Sequence, residues 1–219
     1  LKNSVKKAFV SLYNKGLIIR GNYMVNWCTH DGALSDVEVE HKANKGKLYY
    51  LKYPLADEKS QFVVVATTRP ETYFGDTAVM VNPDDSRYKD LIGKEVILPL
   101  INRKIKIIAD SHVDSEFGTG VVKVTPAHDV NDYEVGKRHN LDFITIFDEK
   151  GILNEYCAEF QGLERLEARD KIVQRLQDEG FVEKIEDYEN QVGYCYRCKN
   201  VVEPYISKQW FVKSQIADE

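Results

Sequence analysis

The chain has 219 residues, 43% of them hydrophobic and 30% charged, with a formal net charge of −5. Such a length can bury a sizeable core, and 13 Tyr with 9 Phe supply bulky core formers, which excludes a disordered chain. The negative charge argues against an autonomous nucleic-acid binder, because phosphate affinity comes mostly from Lys and Arg, but leaves room for a module that touches one nucleic-acid end.

In chain order, Leu1-Lys2-Asn3-Ser4 has neither an initiator Met nor an apolar signal region, so the chain is expected to be the middle of something longer. Residues 3–14 read as a helix with Val5, Phe9, Leu12 and Tyr13 on one side and Gly16 as its stop. Short strands are expected at 17–19, 23–27, 37–41 and 48–53, the last two separated by a turn at 44–46. Residues 62–66 form an uninterrupted apolar run, as for a strand buried on both faces. Further strands are expected at 77–81, 96–98, 105–109, 121–125 and 143–146, with helices over 130–139 and 165–179. In the second helix Glu167 and Lys171 stand at a favourable spacing for an ion pair. No apolar run approaches the ~20 residues that a bilayer span needs. The tail holds Gly193, a Cys pair and a last apolar stretch, Gln209-Trp210-Phe211-Val212. Together these elements predict a strand-rich mixed α/β domain.

The chain lacks a Walker A loop, a Gly-x-Gly-x-x-Gly turn, a Gly-x-Ser-x-Gly elbow and a His-Glu-x-x-His pair. It therefore lacks the usual signatures of a nucleotide hydrolase, a dinucleotide oxidoreductase, a serine hydrolase and a zinc protease. Two segments remain. Ala66-Thr67-Thr68-Arg69-Pro70-Glu71-Thr72 sets hydroxyls and a guanidinium at a strand end, where α/β ligand sites tend to lie. In Phe117-Gly118-Thr119-Gly120 through Lys123-Val124-Thr125-Pro126-Ala127-His128-Asp129, the glycines permit close backbone approach to a ligand. Lys123 and Thr125 share a strand face, and Asp129 and Asp132 share a face of a helix start. A bland reading stands beside each: Asp129 as a helix cap, Lys123 as a solvent-facing strand residue, Asp132 as an ordinary first-turn acid. The residues themselves support a pocket for a small zwitterionic or amino-acid-like ligand.

These two segments, with Gly75-Asp76-Thr77-Ala78-Val79 and Asp132-Tyr133-Glu134, resemble the editing domain of the class I aminoacyl-tRNA synthetases for branched aliphatic amino acids, most closely the valyl branch. The similarity runs from Val25-Asn26-Trp27 to Gln209-Trp210-Phe211-Val212, while the family's ATP-site signatures, His-Ile-Gly-His and Lys-Met-Ser-Lys-Ser, are absent. The resemblance implies a barrel-like mixed sheet with flanking helices, an N-terminal connecting segment over 1–30, an editing core over 31–190 and a C-terminal connecting segment over 191–219 that returns to a catalytic domain. It implies hydrolysis of the ester of mischarged Thr-tRNA(Val), with Val-tRNA(Val) spared and no synthetase activity from this part alone. An apolar pocket rejects an added hydroxyl by only ~10² (the valyl branch of the family is the standing example), so the resemblance implies a second site that reads that hydroxyl.

By the same resemblance Asp132 holds the substrate α-ammonium. Lys123, Thr125 and Asp129 read the threonine hydroxyl or place the water, Thr67, Thr68, Arg69 and Glu71 line the ester and terminal-adenosine side, and Phe117 forms an apolar wall. The base remains open among Asp129, His128 and a ribose hydroxyl, and His128 is equally readable as a structural hydrogen-bonder. The implied partners are the 3′ end of tRNA(Val) and the remainder of the synthetase chain, with no membrane, in a cytoplasmic monomer. Editing itself is expected to need no cofactor.

Four cysteines are too few for a disulfide scaffold and point to a reducing compartment. Cys195-x-x-Cys198 is half a zinc site, and Cys28-Thr29-His30-Asp31 supplies the other half with Asp31 or His30 in place of one thiolate. Structural zinc and metal-free thiols both stay open, and Cys157 reads as an ordinary buried residue. Of the basic stretches Arg103-Lys104-Ile105-Lys106 and Lys137-Arg138-His139, only Lys137-Arg138 is favoured for tRNA phosphate, since it follows the pocket helix. The competing readings are a non-hydrolytic binding module for the tRNA end or an adenylate, and a purely structural zinc-ribbon insertion.

Overall fold

The computed structural model describes residues 1–58 and 60–213, so residues 214–219 of the expected C-terminal segment lie outside the described residues. Three open sheets carry the fold. Strand β1 (Ile18–Cys28) lies between β10 (Val202–Val212) and β2 (Gly32–Leu34). β3 (Val39–Pro54) lies between β4 (Phe62–Thr67) and β9 (Val182–Cys195). The third sheet runs β6 (Glu95–Leu98), β7 (Arg103–Ala109), β5 (Ala78–Val81), β8 (Val121–Val124). In it β5 and β7 are parallel and the other pairs antiparallel, so the domain is strand-rich α/β with mixed pairing, and none of its described sheets closes into a barrel.

The helices form where expected: α1 over Lys2–Asn14, α2 over Val130–Arg138 and α3 over Arg165–Asp178. α3 buries Ala168, Ile172, Val173 and Leu176 in one cluster with Tyr73 and Phe74 of the 3-10 turn Pro70–Gly75, and its Glu167–Lys171 pair closes at 2.7 Å. α1 buries none of its residues and rests Phe9 and Tyr13 edge-on against Trp210. α2 comes so close to the preceding loop that a Cβ on Gly136 would stand 2.7 Å from Pro126 Cβ. No helix among the described residues is long and apolar enough to cross a membrane.

Several elements differ from the sequence expectation for identifiable reasons. The turn at 44–46 does not form: Asn44 pairs with Asn190 and Gly46 with Tyr188 inside one continuous antiparallel ribbon, whose cross-strand pairing overrides local turn propensity. Its partner β9 carries so many charged and polar residues that no hydrophobic pattern marks it. β4 is an edge strand with one buried face, Val63, Val65 and Thr67, while Phe62 is exposed. Residues 143–146 form no ladder; Ile146 N–H goes instead to the His128 ring, and its carbonyl accepts Asn154 N–H.

Candidate active site

The β5–β8 pairing sets Lys123 opposite Val79, and the strand period turns Lys123 and Thr125 toward the segment that follows β4. Between them opens a cavity of about 530 Å³. Thr67, Thr68, Arg69, Phe117, Lys123, Thr125, His128, Asp129 and Asp132 all line it, so two segments some 50 residues apart meet at one place.

Lys123 is buried, not solvent-facing. Its ammonium donates to Thr72 Oγ1 (3.1 Å), to Asp76 Oδ1 (3.1 Å) and to Thr125 Oγ1. Those are all three of its protons, so Lys123 has none left over for a ligand hydroxyl without exchanging a partner. Thr125 donates its own proton to Asp76 Oδ1 (2.5 Å), and Tyr53 donates to Asp76 Oδ2 (2.6 Å). Burial raises the Asp76 carboxyl, while the Lys123 charge and these hydrogen bonds oppose the rise.

Asp129 is the N-cap of α2, accepting Asn131 N–H (2.8 Å) and Asp132 N–H (3.0 Å) on the same oxygen, Oδ1. The cap reading and the pocket reading therefore hold together. Asp132 is buried, accepts Thr125 N–H at 2.8 Å, and has its carboxyl raised to about 7 by loss of water and by the neighbouring Asp129. The half-buried Asp129 and the buried Asp132 thus stand on one wall of the cavity, where a cation would favour their charged forms.

Other expected site residues sit differently. The His128 ring is fully buried against Phe147, and its Nε2 accepts Ile146 N–H at 2.9 Å, so that nitrogen is committed to structure. Burial first, then the Arg69 and Lys123 charges, push its pKa well below the ordinary value. Glu71 does not line the cavity; it is fully buried behind Arg69 (3.4 Å) and Arg169 (2.8 Å). Burial would raise its carboxyl, but the two guanidinium groups hold it below the usual value. Arg69 is tied to His128 O (2.7 Å), to Glu71 and to Glu203 of β10. Thr67 Oγ1 accepts Arg69 N–H at 3.0 Å, and Phe117 is half exposed at the rim. Gly118 and Gly120 serve the turn itself, both with positive φ; a Cβ on Gly120 would stand 3.0 Å from Ser115 O.

The basic stretches turn out structural in part. Arg138 grips Asp110 through two 2.8 Å bonds and Lys137 pairs with Glu134 (2.7 Å), while Arg103 donates to the carbonyls of Phe74 (2.5 Å) and Asp76 (2.8 Å). Residues that the sequence reading did not assign to the site are Thr72 on the cavity floor, Asp76 and Tyr53 beneath it, and Tyr188 and Asn190 of β9 on its wall. Asp76 had a signal, as an acid inside the Gly75-Asp76-Thr77 stretch; Tyr188 and Asn190 had none.

A second centre forms where β1 meets β10 and β3 meets β9. Cys28, Asp31, Cys195 and Cys198 bring one ligand atom each within 4.8 Å of one another. Cys28 and Cys198 sulfurs are 3.3 Å apart, and Cys195 Sγ lies 3.2 Å from Asp31 Oδ2. Three thiols and one carboxylate in a partly buried four-point set suit zinc, which would act here as a clamp between two sheets. Cys157 stands apart in the core, its thiol pushed up to about 12 by burial.

The full chain, residues 1–219, matches the family model described as tRNA synthetases class I (I, L, M and V). All 219 residues align at 74% identity with the valine–tRNA ligase of Campylobacter jejuni strain RM1221, covering 25% of that protein. Identity is 71% to the valine–tRNA ligase of Wolinella succinogenes over the whole chain and 24% of the relative, and 56% over 97% of the chain to that of Geobacter sulfurreducens. The chain belongs to the class I aminoacyl-tRNA synthetase family and spans about a quarter of the length of these relatives.

Two outcomes are expected. An aspartate whose folded pKa lies above its unfolded value contributes full stability below about pH 4 and loses it as pH rises to about 7. Asp132→Asn is therefore expected to match the wild type near pH 4 and to exceed it by about 1–3 kcal/mol at pH 8, read from denaturant melts at both pH values. For the cysteine centre, elemental analysis should find about one zinc per chain in the wild type and a clear loss in Cys198→Ala, with a lowered melting temperature.

Proposed function

We propose that this chain is the editing part of a valyl-tRNA synthetase, hydrolysing the ester of Thr-tRNA(Val) and sparing Val-tRNA(Val). The observation that carries the reading is the buried Asp132 beside the half-buried Asp129, both facing a cavity whose floor is made of hydroxyls, with an aromatic at its rim. An α-ammonium answers the paired acids, a side-chain hydroxyl answers the floor, and Phe117 offers an apolar face to the terminal adenosine. With ammonium and hydroxyl both held, the ester carbon is fixed in place, and positioning supplies much of the rate. Water attacks that carbon, the tetrahedral oxyanion collapses, and the ribose oxygen leaves with a proton. Valine, one hydroxyl short, would leave the floor's lone pairs unmatched, which penalises its entry.

The same reading places the editing core at 31–190 with connecting segments over 1–30 and 191–219, tRNA(Val) and the rest of the synthetase as partners, and the cytoplasm as the compartment. Structural zinc at Cys28, Asp31, Cys195 and Cys198 would fasten the connecting segments to the core. The parent's ligase activity lies outside this part.

One observation favours a second reading, a non-hydrolytic module that binds the tRNA end: neither His128 nor Lys123 is free to act as a base. That leaves Asp129 or a ribose hydroxyl for the water.

Deacylation of both tRNAs by the full synthetase distinguishes the readings. Selective clearance of threonine, reduced about 100-fold or more in Asp132→Ala, is expected; binding of Thr-tRNA(Val) without clearance would favour the module.

A further inference from the structure

Beneath the cavity lies a carboxylate that no ligand can touch. Asp76 is fully buried and is not among the lining residues, yet it takes the Thr125 proton and one N–H of Lys123 from the floor. Tyr53 and Thr125 both donate their only hydroxyl protons to it. Thr72 donates its own to Arg69 O at 2.9 Å. Lys123 completes the set, one N–H on Asp76 and one on each threonine oxygen. The lone-pair count then follows: each threonine oxygen gives one proton, accepts one from Lys123, and keeps one lone pair unused. The floor has acceptors to offer and no free donor.

We infer that Asp76 is a specificity-setting positioning residue: by taking the Thr125 proton and anchoring Lys123, it holds the floor as an acceptor surface that recognises a ligand hydroxyl through that hydroxyl's own proton. This rests on the editing reading above and adds the residue that sets its selectivity. A neutral amide at position 76 can donate as well as accept. An amide N–H given to Thr125 Oγ1, which already accepts from Lys123, would use the lone pair that a ligand hydroxyl needs, so the hydroxyl would lose much of its advantage over a methyl.

The test measures the ratio of Thr-tRNA(Val) to Val-tRNA(Val) deacylation in the full synthetase. Asp76→Asn should lower that ratio by about tenfold or more, as should Thr125→Val, with the double variant no worse than either single one, because both act through the same lone pair. Thr125→Ser, which keeps the hydroxyl, should hold the ratio. Tyr53→Phe, which removes only the far contact of Asp76, should lower stability and leave the ratio in place. An unchanged ratio in folded Asp76→Asn, or additive losses in the double variant, overturns the inference. If Asp76→Asn does not fold, Thr125→Val against Thr125→Ser decides, and equal ratios overturn it. A wild-type synthetase that clears neither tRNA removes the editing reading and this inference with it, whereas threonine clearance with an unaltered ratio in Asp76→Asn removes only this inference.

Discussion

The buried ammonium of Lys123 is the constraint around which the site is arranged. An unpaired charge out of water costs several kcal/mol, so the fold must surround it with acceptors or lose it to neutralisation. Asp76, Thr72 and Thr125 do this from three directions, and they come from a 3-10 turn, the residue that follows it and the end of β8. Meeting the need of one ammonium thus ties the segment after β4 to the strand that leads into α2. The cavity lies between the elements so tied. Asp129 and Asp132 then take their places as consequences of the helix that follows β8.

A second network fixes the other wall. Arg69 is held by His128 O, Glu71 and Glu203, and Glu203 also accepts from Arg165 of α3 at 2.7 Å. Breaking one partner of such a set leaves a buried charge behind, which is why these contacts hold geometry better than they add stability. Glu203 belongs to β10, so the sheet that joins the two ends of the described chain reaches directly to a cavity residue. The cysteine centre sits on the same junction, where a bound zinc would add a second tie across the sheets.

Much of this was legible from residues alone, and the exceptions share a cause. Alternation placed Lys123 and Thr125 on one face, and Asp-x-x-Asp spacing placed Asp129 with Asp132, because those relations are local. Lys123 was legible as a candidate but not as buried, since its burial depends on Asp76, 47 residues away. Glu71 reads like a ligand contact beside Arg69 and turns inward because Arg169, 98 residues on, needs its charge. The β3–β9 ribbon was half read, as two strands and a turn, because its polar stretch at 40–47 is stabilised by cross-strand partners and not by its own pattern. Asn190 and Tyr188 reach the cavity only through that pairing. Local spacing carried the chemistry, and long-range pairing decided which groups were free to use it.

The central claim is that the cavity binds an ammonium and a hydroxyl together, and binding can be measured without turnover. Calorimetric titration of the full synthetase with the amide-linked threonyl and valyl derivatives of 3′-amino-3′-deoxyadenosine tests it most directly. With Asp132 titrating at about 7, the threonyl compound should bind about tenfold more tightly at pH 7 than at pH 5.5, and at pH 7 about tenfold or more above the valyl compound. Equal affinity for the two compounds, unchanged between those pH values, would contradict the account.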